Sequence, residues 1–160
     1  MSAQDTLKLI AKAGKTPRDR LLILIGAYTG MKSDELSHLT AGETQTLTQS
    51  DLKPIRKLIQ RYVKSRELAD DDLMFRSQTY GGKLERTAIY RIISNAVKRA
   101  LGMSRRGGIR LLQALWRVLC DGFPRWIVDA VLTTGYLPEF RSIDLDDIED
   151  WPAYYNLILA

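Results

Sequence analysis

The stretch from Ser104 to Trp116, SRRGGIRLLQALW, sets two arginines and a glycine pair ahead of a third arginine and an apolar run at helical spacing. Arginine carries a planar, permanently charged fork that fits phosphate, and glycine lets backbone N–H groups approach an anion at a helix N-terminus. Arg105, Arg106, Gly107 and Gly108 thus have the makings of a phosphate-binding turn, with Arg110 at the helix start as a further contact. Two plainer readings stay open: a solvated loop for the turn, and for Arg110 an ion pair with a carboxylate such as Glu35. A second candidate group lies on the helix predicted over 84–101. Its stripe of Ile89, Ile92, Ile93, Ala96, Val97 and Ala100 turns inward and leaves Arg86, Tyr90, Arg91, Lys98 and Arg99 on the outside. Such a face suits backbone phosphates, and is equally the solvated face of an ordinary helix. Tyr90 either stacks or hydrogen-bonds there, or covers the edge of the core.

The charge distribution agrees with an anionic partner. Net charge is +5, yet residues 139–150, EFRSIDLDDIED, hold six acids against one arginine, and the last ten residues are uncharged. Residues 1–138 therefore carry a balance of +10, a body suited to a polyanion followed by a tail that is not. Other reactive groups are few. The single cysteine, Cys120, sits in the apolar run LWRVLC and reads as a small buried hydrophobe. The single histidine, His38, reads as a surface residue. No metal site or cofactor is expected.

The elements that must position these groups are mainly helical, in one domain of 160 residues. AQDTLKLIAKAG reads as a first helix ended by Gly14. Thr16 as N-cap with Pro17 at the first helical position opens a second, RDRLLILIGAY, stopped at Gly30. Its residues Leu21 to Ala27 are apolar nearly all round, so this helix is expected at the centre. SDELSHLT makes a short third helix, capped by Ser33 or Asp34, with Leu36 and Leu39 inward. AGETQTLTQ offers one weak strand, and Ser50 is expected to cap the helix DLKPIRKLIQRYVKSR. DDLMF is read as a short extended piece and RSQTYGGK as a turn. After the 84–101 helix come IRLLQALWRVLCDG, ended by Gly122, and PRWIVDAVLTTG, ended by Gly135. The apolar DWPAYYNLILA closes the chain. No run approaches the roughly 20 apolar residues that span a bilayer, and the N-terminus lacks the pattern of a secretion signal, so a cytoplasmic protein without membrane contact is expected.

In order, TPRDRLLILIGAYTGMKSDELSHLT, then DDLMFRSQTYGGKLERTAIYRIISNAVKRALG, then GGIRLLQALWRVLCDGFPRWIVDAVLTTG resemble the catalytic domain of the tyrosine recombinases, the phage integrase family, over about residues 5–143. The first block is similar to the family's apolar helix, TG turn, arginine and Ser-Glu-Leu helix. The middle is similar to its Leu-Phe strand and DNA-contacting helix. The third is similar to its His-x-x-Arg helix and the following helix ended by Leu-Gly-His. The resemblance implies a compact helical domain with a reduced or missing β-hairpin sheet, spanning 1–138, followed by an acidic linker and apolar segment over 139–160.

It also implies a phosphate-holding site, whose positions here are mostly replaced. Lys32 stands at the first arginine position and keeps the charge without the two-pronged grip. Gly107 stands in place of the histidine of His-x-x-Arg, while Arg110 keeps the arginine. Thr134 stands in place of the histidine of Leu-Gly-His, and Ile143 falls where the tyrosine nucleophile is expected. AGETQTLTQ is too short for the hairpin that carries the family's lysine. With one of six catalytic positions kept and one changed conservatively, the expected chemistry is binding without cleavage.

The resemblance implies a DNA-binding set of Lys32, Arg86, Tyr90, Arg91, Lys98, Arg99, Arg105, Arg106 and Arg110, with double-stranded DNA as partner. A mobile element such as a phage or plasmid in a bacterial, nucleoid-associated setting follows from the family. So does docking of Trp151–Ala160 onto a second copy or a related recombinase, with self-docking as the equal alternative. The family's core-binding domain, which closes a clamp on DNA, is not expected in this chain, so binding should be weak and salt-dependent. Two alternatives remain open at this point. One is a live recombinase using a displaced tyrosine, Tyr154 or Tyr155, with Tyr136 also nearby in sequence. The other is a protein-interaction module that no longer binds DNA.

Overall fold

A computed structural model describes residues 2–77, 81–102 and 108–134, with the side chains of 133 and 134 left out. The chain forms α1 (Ala3–Lys12), α2 (Pro17–Thr29), α3 (Ser33–His38), α4 (Ala41–Leu47), a 3-10 turn at Lys53–Ile55, α5 (Arg56–Ser65), α6 (Arg86–Leu101), α7 (Gly108–Cys120) and α8 (Trp126–Thr134). The mainly α expectation therefore holds. Among the described residues there is no β-sheet, only isolated bridges between Thr40 and Leu73 and between Arg76 and Lys83. Arg105, Arg106, Gly107, Ile143 and the segment 139–160 with its expected boundary at 138 lie outside the described residues, as do Tyr136, Tyr154 and Tyr155.

Helix α2 forms where its caps predict. Thr16 Oγ1 accepts from Asp19 N–H at 3.1 Å, Pro17 occupies the first turn, and Gly30 ends the helix in the left-handed region at φ 68°. Leu22, Ile23, Ile25 and Ala27 are fully buried, each large side chain contributing about 1.5–3 kcal/mol of transfer free energy. Even the first turn of α2 is enclosed. Arg18 donates to Asp19 Oδ1 from Nε and Nη2 (3.0 and 2.8 Å), and its Nη1 donates to the Arg76 carbonyl at 2.8 Å. That last bond fastens the extended piece holding the buried Met74 and Phe75 onto α2. The same piece is tied to the end of α3 by Met74 N–H to the Leu39 carbonyl (2.8 Å) and Ala41 N–H to the Asp72 carbonyl (2.9 Å).

Three local expectations are corrected. AGETQTLTQ is not a strand: Ala41–Leu47 is helical, because Thr40 and Glu43 close a reciprocal cap. Thr40 Oγ1 accepts from Glu43 N–H at 3.2 Å and donates to Glu43 Oε1 at 3.0 Å. Ser50 does not cap a helix. A 3-10 turn runs over Lys53–Ile55 with Pro54, which has no N–H, in its opening positions, and α5 begins only at Arg56. Cys120 is exposed rather than buried, because it falls at the last residue of α7, where Sγ donates to the Tyr28 carbonyl at 3.6 Å.

Candidate functional site

Glycines govern how the site's elements meet. At Gly26 an added Cβ would lie 2.9 Å from Leu112 Cδ1, so α2 and α7 cross at close range there. Gly30 carries the positive φ that turns the chain from α2 into α3, and an added Cβ would lie 2.7 Å from the ring of Trp116. At Gly108 an added Cβ would stand 3.1 Å from the backbone of Ser94. Gly108 is thus the first residue of α7, buried against α6. It serves helix packing, so of the expected phosphate-binding turn it supplies a close approach between helices.

These approaches bring the start of α3, the first half of α6 and the first turns of α7 around one open cavity of about 420 Å³. Its wall includes Lys32, Arg86, Tyr90 and Arg110, with Asp34 and Gln113 beside them. Lys32 is the N-cap residue of α3, not Ser33 or Asp34 as the sequence suggests. A lysine cannot accept the bond that an N-cap side chain normally takes. The reciprocal half serves instead, with Lys32 N–H donating to Glu35 Oε1 at 3.1 Å. Arg86, Tyr90 and Arg110 are all exposed at the cavity, three residues that bring two guanidinium groups and one phenol to the same place as the lysine ammonium.

Other residues of the expected set fall elsewhere. Successive helix positions turn by about 100°, so Tyr90 lies about 40° round α6 from Arg86, while Arg91 and Lys98 lie about 120–140° round. Both are exposed but form a separate strip. Arg99 is turned toward α1, where Nε and Nη2 donate to the Ala13 carbonyl at 3.1 and 2.7 Å. There it satisfies a carbonyl at the end of α1, as a cation at a helix C-terminus favourably does. The basic residues of α6 are therefore three groups rather than one stripe. Thr134 closes the backbone of α8; its side chain is among those left out. His38 is exposed, as expected, and outside the cavity. Its Nε2 lies 3.1 Å from Lys83 Nζ, and its Nδ1 lies 2.8 Å from the Asp34 carbonyl.

Two features escaped the sequence reading. Asp34 places a carboxylate in the cavity wall, the kind of group that competes with an anionic ligand and sharpens where it can sit; α3's spacing gives the signal, because Lys32 and Asp34 flank its first residue. The stretch Lys53 to Arg66 also carries six cations, Lys53, Arg56, Lys57, Arg61, Lys64 and Arg66, without an acid. All six are exposed, and Arg66 stands 4.5 Å over the Tyr62 ring.

Three described groups, Tyr28, Tyr62 and Cys120, have their acidity shifted by their surroundings. Burial pushes the Tyr28 phenol above its usual value, with Cys120 adding to the shift. Burial also raises Tyr62, against the lowering effect of Arg66 and Arg18. Cys120 is exposed as a residue, yet partial desolvation at the end of α7 raises its thiol, helped by Asp51 and Asp121. Each stays protonated near neutral pH and is a poor nucleophile. No group of three or more metal-ligating side chains occurs among the described residues, and no described helix is long and apolar enough to cross a membrane. No family model, curated protein or solved structure matches the chain.

Proposed function

We propose that this chain is a catalytically inactive relative of the tyrosine recombinase catalytic domain. It binds duplex DNA through the Lys32, Arg86, Tyr90 and Arg110 cavity and acts as a regulator or accessory factor of a mobile genetic element. The observation that carries the reading is the convergence on one cavity of residues from three segments far apart in sequence. Two of them, Lys32 and Arg110, are those that the family resemblance assigns to the phosphate. A site of three cations and a phenol against one carboxylate, Asp34, keeps a net positive charge and has the chemistry of a phosphodiester clamp: charge from Lys32, forked donors from Arg86 and Arg110, and from Tyr90 either a hydroxyl donor or a stacking face.

The reading of inactivity rests on what the resemblance assigns to the remaining positions: Gly107 and Ile143 have no side-chain group for proton transfer or attack, and Thr134 has a neutral hydroxyl in place of an imidazole. The test is fluorescence anisotropy of the full chain on a duplex across a salt series, with a nicked suicide duplex run beside it to trap a covalent adduct. Binding that weakens with salt and leaves no adduct is expected. A covalent adduct abolished by Tyr154→Phe or Tyr155→Phe would replace this reading with a live recombinase. Absence of binding at low salt would remove DNA as the partner.

A further inference from the structure

A second groove lies between α1, α2 and α5, with a volume of about 480 Å³. Leu21, Leu24 and Leu58 are apolar lining residues, the cations Lys12, Arg20 and Arg61 line it beside them, and no carboxylate stands among the described lining residues. Leu58 is 45% exposed, on a helix whose other outward side chains are charged or polar. An apolar side chain left open at the mouth of such a groove marks a surface made to be covered.

We propose that the chain's own C-terminal segment, residues 139–160, docks in this groove. The two surfaces match in both charge and order. Residues 139–150 carry six acids against one arginine, and Trp151–Ala160 carry no charge but hold Trp151, Tyr154, Tyr155, Leu157, Ile158 and Leu159. The groove offers the complement: Lys12, Arg20 and Arg61 stand beside its leucines, and Arg61 belongs to a stretch, Lys53 to Arg66, that carries six cations without an acid. Acidic stretches elsewhere, such as Asp70–Asp72, are not followed by an apolar decapeptide. Reach is sufficient. The 16 residues between α8 and Trp151 span at most about 55 Å when extended, and a domain of this length has a radius of gyration of roughly 15 Å. With the acids against Lys12, Arg20 and Arg61 and the aromatic and aliphatic residues on the leucines, the segment neutralises the groove's cations and leaves the Lys32 and Arg110 cavity as an exposed cationic site. The inference stands on the groove and the segment alone and is independent of DNA binding.

Paramagnetic relaxation in the full chain tests it directly. A nitroxide is attached at Leu159→Cys in a Cys120→Ser background, and amide signals of the ¹⁵N-labelled protein are compared before and after reduction of the label. Signals of Leu58, Arg61 and Leu24 should broaden most. Arg61→Glu, an exposed change, should cut that broadening by half or more, and Leu58→Asp should do the same through the apolar lining. A mixture of nitroxide-bearing ¹⁴N chain with label-free ¹⁵N chain should show none of it. Broadening centred on Lys32 and Arg110 would overturn the assignment, as would broadening found only in the mixture, which would place the segment on a second copy. Uniform weak broadening, insensitive to Arg61→Glu, would show that the segment does not dock.

Discussion

Replacing Arg110 with alanine removes one of the three cations that share the Lys32, Arg86 and Arg110 cavity. If each neutralises one phosphate, log Kd should rise with log salt at a slope of about 2.7, since each contact contributes roughly 0.9 on duplex DNA. Between 50 and 200 mM salt the wild-type chain should then lose about 40-fold in affinity, and the Arg110→Ala chain about 12-fold. At the lower salt the variant should bind roughly 10-fold more weakly, the size expected for a lost charge-assisted hydrogen bond. Anisotropy on a labelled 30-base-pair duplex reads both quantities, with thermal unfolding as a check that the fold is kept. Arg125→Ala, an exposed arginine outside the cavity, should leave the slope unchanged. Parallel salt lines for wild type and Arg110→Ala would refute the reasoning, because an arginine that meets phosphate must release counterions when it does so.

Further predictions concern the scaffold. Gly30→Ala combines a left-handed φ with a Cβ 2.7 Å from the Trp116 ring, and should lower stability by about 3 kcal/mol in urea denaturation; a change under about 1 kcal/mol would mean that Trp116 moves aside freely. Ser94 Oγ is buried without a hydrogen-bond partner among the described residues, so Ser94→Ala should stabilise the protein by about 1 kcal/mol, from removing an unsatisfied hydroxyl and from better helix propensity. The Cys120 thiol, raised above its usual value by partial desolvation and by Asp51 and Asp121, carries less thiolate at any given alkaline pH than a free cysteine. Its alkylation rate against pH should be displaced upward, and a rate at pH 8 equal to that of a model thiol would contradict this.

Much of the helical framework was legible in the sequence because its signals are local. Thr16, Pro17 and Gly30 bound α2 in the type and order that capping requires, and the isoleucine stripe of α6 reports its buried face. Helix α4 was legible too, in the Thr40 to Glu43 spacing, yet β-branched threonines along AGETQTLTQ argued for a strand and obscured it. Tertiary facts were not readable this way. Gly108 reads as a flexible residue of a phosphate turn until Ser94, 14 positions earlier in the chain, is found against it. Arg99 shares a basic sequence with Arg86 and Arg91, but only the packing of α6 on α1 turns it to the Ala13 carbonyl. Gly122 marked the end of α7 within two residues, but the apolar run LWRVLC made Cys120 read as buried although it is the helix's last residue and exposed. Lys32, Arg86 and Arg110 were each singled out from sequence; that they line one cavity with Asp34 depends on Gly26, Gly30 and Gly108 together.

Amide hydrogen exchange of the full chain with and without a saturating duplex tests the central claim most directly. Protection on DNA binding should appear together at residues 32–34, 86–90 and 109–113, the three segments around the cavity, and should vanish at high salt. Protection confined to the basic stretch Lys53–Arg66, with those three segments unchanged, would contradict it and move the nucleic-acid surface to α5.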